Sequence, residues 1–224
     1  MQEEAYRSVD HILEEVRAMR VKGGSAFGVA AAQAFNFVAQ DLKFVSAEEL
    51  YDELEHVASL LFAEKPTMAT IHNAYQLIVA GSRSRVENDN LPMARKEITD
   101  RAERFIEHSR DAIQQLGHIG SNLVLPDQTI MMHSYSASVL SIFETAWQTG
   151  KRFRVICTES RPLRESRMAA SRLSQLGVPV IFVTDASMAV SAKEADWILV
   201  GADSIAIDGA VANKTGTDML SIVA

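Results

Sequence analysis

The hydrophobic period of this chain changes once, near Gly117, and that change limits the folds open to it. Ahead of Gly117 apolar residues recur every three or four positions. Val9, Ile12, Leu13, Val16 and Met19 form one stripe, and Ile98, Ala102, Phe105, Ile106 and Ile113 form another. That spacing puts side chains on one face of a helix. Beyond Gly117 come four short apolar runs bounded by turn residues: 129–132, 153–157, 180–183 and 197–200. Helix-like stretches separate them at 136–149, 165–176 and 187–195. Short unbroken apolar strands alternating with helices predict βαβ units and a parallel sheet covered on both faces, with right-handed crossovers. The expected architecture is therefore α/β, with a helical N-terminal domain (1–117) followed by a parallel sheet domain (118–224). The last stretch, 215–224, reads as the opening of a helix with no strand after it. The sheet domain is thus expected to be incomplete at its C-terminus, or to have its edge covered by a partner.

The helical half is punctuated by recognisable signals. Gly23-Gly24 ends the first helix, which is expected from Glu3 to Arg20, and Ser25 is placed to cap the second. Ser46-Ala47-Glu48-Glu49 has capping-box spacing ahead of Leu50, Leu54 and Val57. Lys65-Pro66-Thr67 interrupts the third helix near Ala63, with Pro66 suited to the first turn of a fourth that runs through Ile78. The polar stretch 81–90 reads as a loop, and a long amphipathic helix follows from about Pro92 to Leu116.

Composition narrows the function classes. The chain of 224 residues is 23% charged and 47% hydrophobic, an ordinary globular balance. Its one cysteine, Cys157, rules out an internal disulfide and a cysteine zinc cluster. His11, His56, His72, His108 and His118 are scattered without metal-ligand spacing, so no metal and no cofactor are expected. The longest apolar stretch, 26–37, is broken by Gly28, Gln33 and Asn36 and is too polar to span a bilayer. The acidic start, Met1 to Tyr6, lacks the apolar region of a secretory signal, so a cytoplasmic protein without membrane contact is expected. A net charge of −7 argues against direct binding of nucleic acid, while leaving room for a local basic pocket that takes one small anion.

In open parallel sheets ligands bind beyond the carboxyl ends of the strands. The residues expected there are His133, Ser134, Tyr135 and Ser136 after the first strand, and Thr158, Glu159, Ser160 and Arg161 after the second. Thr184 and Asp185 follow the third strand, and Gly201, Ala202 and Asp203 the fourth. Past the turn at Asp208-Gly209, the run Asn213-Lys214-Thr215-Gly216-Thr217 sets a lysine and two threonines around a glycine at a helix start. Such a run can cradle a phosphate, because free N–H groups and the helix dipole favour an anion, or it can be a plain N-cap at Thr215. It lacks Walker A spacing. Val21-Lys22-Gly23-Gly24-Ser25 repeats the theme, with an ordinary helix–helix turn as the alternative.

These segments together resemble one family. Gly201-Ala202-Asp203-Ser204-Ile205, Asp208-Gly209-Ala210-Val211 and Asn213-Lys214-Thr215-Gly216-Thr217 are similar to its signature. So, in order, are His133-Ser134-Tyr135-Ser136, Cys157 to Pro162, and Val178-Pro179-Val180. The family unites the alpha, beta and delta subunits of translation initiation factor 2B with ribose-1,5-bisphosphate isomerase and methylthioribose-1-phosphate isomerase. The resemblance implies a Rossmann-like C-terminal domain, a homodimer formed mainly through it, and aldose–ketose isomerisation of a sugar phosphate. It also assigns proton transfer to a cysteine and an aspartate.

Asp203 stands at the aspartate position, but Ser134 stands at that of the cysteine. A serine hydroxyl has a far higher pKa than a thiol and needs a neighbour to activate it. Lys22 and Lys65 replace arginines of two N-terminal elements, keeping charge while losing bidentate geometry. The candidate catalytic residues are therefore Asp203 and Ser134. The candidate phosphate-binding residues are Lys22, Gly23, Gly24, Lys65, Ser136, Asn213 and Lys214. Three readings follow: an isomerase, a sensor that binds a phosphorylated sugar or nucleotide without turnover, and a non-catalytic subunit that contacts a translation initiation factor.

Overall fold

The structure, a computed structural model, describes residues 6–85 and 89–224. The chain separates into two compact units, one up to Arg110 and one from Asp111 to Ala224. The division falls inside a single helix, α6 (Leu91–Ser121), and the boundary expected at residue 117 lies further along that same helix.

The first unit is helical. It contains α1 (Val9–Arg17), α2 (Gly24–Gln40), α3 (Ala47–Glu64) and α4 (Ala69–Tyr75). α4 continues through a π-helical turn, Gln76–Ala80, into α5 (Gly81–Arg83). The described part of the first expected helix thus begins at Val9, with Ser8 accepting the His11 N–H at 3.2 Å. Glu3 lies outside the described residues. Gly23, at φ 86°, precedes α2, so the helix starts one residue before Ser25, which lies inside its first turn rather than capping it. Ser46 caps α3 as expected, accepting the Glu49 N–H at 3.1 Å, while the Glu49 carboxylate reaches back to the Val45 N–H at 3.1 Å. Pro66 does not open α4. The Met68 N–H closes a turn onto the Lys65 carbonyl at 3.1 Å, which delays the helix to Ala69. Part of the stretch expected as a loop, Gly81–Arg83, is helical; residues 86–88 of it lie outside the described residues.

The alanines of α2 do what small residues allow. Ala30, Ala31 and Ala34 are almost wholly buried, and α2 packs closely on α4. A Cβ on Gly28 would stand 3.0 Å from the Thr70 Cβ. Phe35, Leu50, Leu54 and Ile71 fill the middle of this core, each contributing about 1.5–3 kcal/mol by burial.

The second unit is a four-stranded parallel sheet with helices on both faces. Its strands are β1 (Thr129–Met132), β2 (Arg154–Thr158), β3 (Val180–Val183) and β4 (Trp197–Leu199), in the order β3-β2-β1-β4. α7 (Ala137–Gln148), α8 (Ser166–Gln175) and α9 (Met188–Ala192) connect them. Alternation along the strands sorts the core into two layers. Ile130, Met132, Val155 and Cys157 pack with Leu140, Phe143 and Leu173. Met131 and Ile156 pack with Met188 and with Leu220 of the final helix, α10 (Thr217–Val223).

α6 runs past its expected end at Leu116 because Gly117 and Gly120 serve close approach to α7 rather than helix termination. A Cβ on Gly117 would fall 2.3 Å from the Ser141 Oγ, and one on Gly120 would fall 2.5 Å from the Ile142 Cδ1. After β4 comes a short antiparallel hairpin that periodicity could not show, β5 (Ser204–Ile205) and β6 (Val211–Ala212), around the turn at Asp208-Gly209. No helix among the described residues is long and apolar enough to cross a membrane.

Candidate active site at the sheet ends

β1 is the point where the sheet reverses its order of addition. β2 and β3 lie on one side of it and β4 on the other. A crevice at the carboxyl end of the central strands follows from such a reversal. The loops there come from the ends of β1, β2 and β4 and from the segment that precedes α10.

The end of β1 is held by a buried polar network. His133, 1% exposed, points one ring nitrogen at the Thr158 hydroxyl (2.6 Å) and the other at the Thr215 carbonyl (2.9 Å). A carbonyl only accepts, so Nε2 carries the proton and Nδ1 is the acceptor in the neutral ring. That contact ties the loop before α10 to the sheet. Gly216, at φ 102°, completes it, since a Cβ there would stand 3.0 Å from the same Nε2. Ser134 follows at φ 72°, a left-handed conformation that costs a non-glycine residue about 1–3 kcal/mol. Its N–H donates to the Ser160 Oγ at 2.7 Å, and Ser160 in turn pairs with the Ser166 hydroxyl at 2.6 Å. Ser160 and Arg164 also have positive φ, so the loop between β2 and α8 is held in shape by its partners. The Asp185 carboxylate is one of them, accepting the N–H groups of Ser160 and Arg161 at 2.9 and 2.8 Å.

Against this frame lies a charged cluster. The Ser134 hydroxyl donates to Glu165 Oε1 at 3.3 Å, and the Lys214 ammonium forms a close ion pair with the same oxygen. Glu165 is 7% exposed. Asp203, half-buried, is tied through its N–H to the Ala212 carbonyl at 2.9 Å. Burial pushes its carboxyl pKa above the ordinary value. Lys214 opposes that shift and Glu165 adds to it. Ser134, Asp203 and Lys214 are thus brought into one constellation, with Glu165 at its centre.

The remaining candidates sit as follows. Ser136 caps α7, accepting the Val139 N–H at 3.3 Å, and a Cβ on Gly201 would stand 2.8 Å from its Oγ, so β4 ends against that cap. Asn213 donates to the Thr217 hydroxyl at 3.1 Å. Thr215 is not the cap of α10; Gly216 is. In the helical unit, Lys22 is half-buried beside Gly23 and Gly24. The Gly24 carbonyl accepts the Thr70 hydroxyl at 2.6 Å. The Lys65 ammonium contacts the Met19 sulfur and sits 5.4 Å from the centre of the Phe27 ring. Cys157 is a core residue whose thiol burial pushes up to about 12, which leaves it unsuited to replace a catalytic thiol. Among the described residues, no group of three or more histidine, cysteine, aspartate and glutamate side chains is placed to hold a metal ion.

A sequence profile of the Initiation factor 2 subunit family matches residues 20–224. The chain belongs to that family. Ribose 1,5-bisphosphate isomerase of Thermococcus kodakarensis is 32% identical over 97% of this chain and 68% of its own length. A putative translation initiation factor eIF-2B subunit 2-like protein of Pyrococcus furiosus is 35% identical over 94% of this chain and 71% of its own. Among solved structures, the Pyrococcus horikoshii OT3 translation initiation factor eIF-2B superposes with a TM-score of 0.85 at 32% identity, covering 96% of this chain and 73% of that one. The helical region followed by a Rossmann-like parallel sheet is the fold of this family.

Within the family frame, sequence reasoning missed Glu165, Ser166 and the inward roles of Thr158 and Ser160. Glu165 read as the start of a surface helix, three residues beyond Pro162 and among Arg161, Arg164 and Arg167. The only available signal was that a lone carboxylate stands among those arginines, and that signal is equally common on solvated faces.

Proposed function

We propose that this member of the family isomerises a phosphorylated sugar between aldose and ketose at the carboxyl ends of β1, β2 and β4. The observation that supports the reading is Asp203, a carboxyl group whose pKa is raised by burial and by Glu165. Its charged neighbours are Lys214 and Glu165, and Glu165 in turn accepts from the strained Ser134. Groups tuned away from their ordinary pKa beside a cation suit proton transfer on an anionic substrate. In net terms, conversion of a cyclic aldose 1-phosphate breaks the C1–O4 bond with its electron pair left on O4, which takes a proton. The C2 hydroxyl releases a proton, and the C2 hydrogen moves to C1 with its bonding pair. Asp203 supplies the proton at O4. Lys214, Asn213 and Ser136 are assigned to a phosphate group at this site; Lys22, Gly23, Gly24 and Lys65 are kept as separate phosphate-binding candidates of the helical unit.

Ribose 1,5-bisphosphate is the first probe, since it is the substrate named for the Thermococcus relative. Conversion to the ketose that is lost in Asp203→Asn supports the reading; no conversion by the wild type rejects it. Ser134, at the place the resemblance gives to a cysteine, favours a second reading: a non-catalytic subunit of the initiation factor 2B type, acting through protein contacts. Stabilisation by the phosphate without conversion points instead to a sensor, and no response to any sugar phosphate leaves the subunit reading. A homodimer, with the exposed apolar side chains of Ile205, Ile207 and Ile222 as surface to cover, belongs to all three readings. Sedimentation of the purified chain tests it.

A further inference from the structure

Glu165 has work that pairing with Lys214 does not account for. A buried carboxylate is costly unless both oxygens are satisfied. Its Oε1 is engaged twice, by the Lys214 ammonium and by the Ser134 hydroxyl at 3.3 Å. Its Oε2 is buried and has no hydrogen-bond partner. The local backbone is strained on both sides of this contact, with Ser134 at φ 72° and Arg164 at φ 56°. Strain of that kind persists only where the surroundings impose it, and it gathers at working sites. A lone serine hydroxyl, moreover, is a poor proton-transfer group until a base is hydrogen-bonded to it.

The geometry points to Glu165 as the positioning base that activates the Ser134 hydroxyl, so that the Ser134–Glu165 pair does the proton-transfer work the resemblance gives to a cysteine. This rests on the isomerase reading. As the C2 hydroxyl of the sugar gives up its proton to Ser134 Oγ, the Ser134 proton passes to Glu165 Oε1. On the other side Asp203 gives its proton to O4 as the C1–O4 bond breaks. One proton leaves the sugar and one enters it. Glu165 and Asp203 exchange the difference through solvent before the next turnover. Lys214 stays within reach of the ion-paired carboxylate, which links the base to the group assigned to the phosphate.

The test is kcat/KM for ribose 1,5-bisphosphate across pH, with the full chain, for the wild type, Glu165→Gln, Ser134→Ala, the double variant Ser134→Ala/Glu165→Gln, and Ser134→Cys/Glu165→Gln. Each single variant is expected to lose about 100-fold or more, the usual worth of a positioned acid–base group. The first double variant should lose no more than either single one, because the two residues act as one unit. Glu165→Gln should also lose the acidic limb of the wild-type profile. A thiol needs no relay, since its ordinary pKa is about 8.5, so the cysteine double variant should regain about tenfold or more over Glu165→Gln. A merely structural glutamate would not be rescued by a thiol at another position. Ser134→Ala leaves the Glu165–Lys214 pair intact, so its loss of the acidic limb carries the test if Glu165→Gln does not fold. Additive losses, an unchanged pH profile or no recovery with the thiol overturns the proposal. An inactive wild type overturns the isomerase reading itself, and that failure shows before any substitution is made.

Discussion

The two units bury their polar groups in different ways. In the helical unit the buried polar side chains among the described residues are Glu15 and Ser82, and each is closed locally. Glu15 takes both oxygens to Arg20 at 2.8 Å, and Ser82 joins the Val79 carbonyl and the Tyr51 hydroxyl. In the sheet unit His133, Ser134, Thr158, Ser160, Glu165 and Ser166 are buried together at the ends of two strands, and Glu165 Oε2 is left without a partner. The helical unit has unpaired buried atoms too, His11 Nδ1 and Gln33 Oε1, but they stand singly on different helices. The sheet unit instead gathers its buried polar groups in one place and strains the backbone at Ser134, and strain of that kind collects at working sites. The lesson is that the two units differ in whether buried polar groups stand singly or together.

That contrast can be broken by experiment. The largest effect is expected from Asp203→Asn, which should lower turnover by about 10²–10⁴-fold. The same variant should be more stable than the wild type at neutral pH. Burial raises the Asp203 pKa in the fold. The ionised form is therefore disfavoured there, and stability is lost as pH climbs from the unfolded value through the folded one. Below about pH 3 both states are protonated and the gain should vanish. Melting curves at acid and neutral pH would show it, and a variant less stable at every pH would refute the assignment.

In the helical unit the sign should reverse. Phe35→Ala removes a fully buried ring and is expected to cost about 3–5 kcal/mol in denaturant unfolding. Any turnover should persist wherever the protein stays folded. Gly216→Ala lies between the two behaviours. Its φ of 102° and the nearby His133 ring predict a loss of about 1–3 kcal/mol. It should disturb Lys214 through the Thr215 carbonyl contact, raising KM for a phosphorylated probe. Lys22→Ala and Lys65→Ala, measured one at a time, should raise KM by about tenfold with kcat unchanged, as expected for loss of uniform phosphate binding. The smallest effect concerns Cys157, whose thiol should stay unreactive toward a disulfide reagent until the protein unfolds. Rapid labelling of the native chain would show that its place in the core is wrong.

The scaffold was legible because it rests on periodicity. β1 and β3 fall where unbroken apolar runs placed them, and Ser46 caps α3 as its spacing predicts. Signals that depend on a single residue's backbone went astray. Gly23 took the cap from Ser25, the turn at Lys65–Met68 displaced Pro66, and Gly117 turned out to be a contact rather than a stop. Each glycine or proline is compatible with several local roles, and packing selects among them.

What the sequence determined alone was the order of the main helices and of the four parallel strands, and with it the end of the sheet where polar loops must gather. The choice of Ser134, Asp203 and Lys214 came from the resemblance and from chemistry read at those strand ends. Only the tertiary structure put Glu165 between Ser134 and Lys214, and only it set the Thr215 carbonyl on His133. Period and propensity act between near neighbours along the chain. A carboxylate's partners come from strands and loops far away in sequence, so they exist only once the sheet has closed its register.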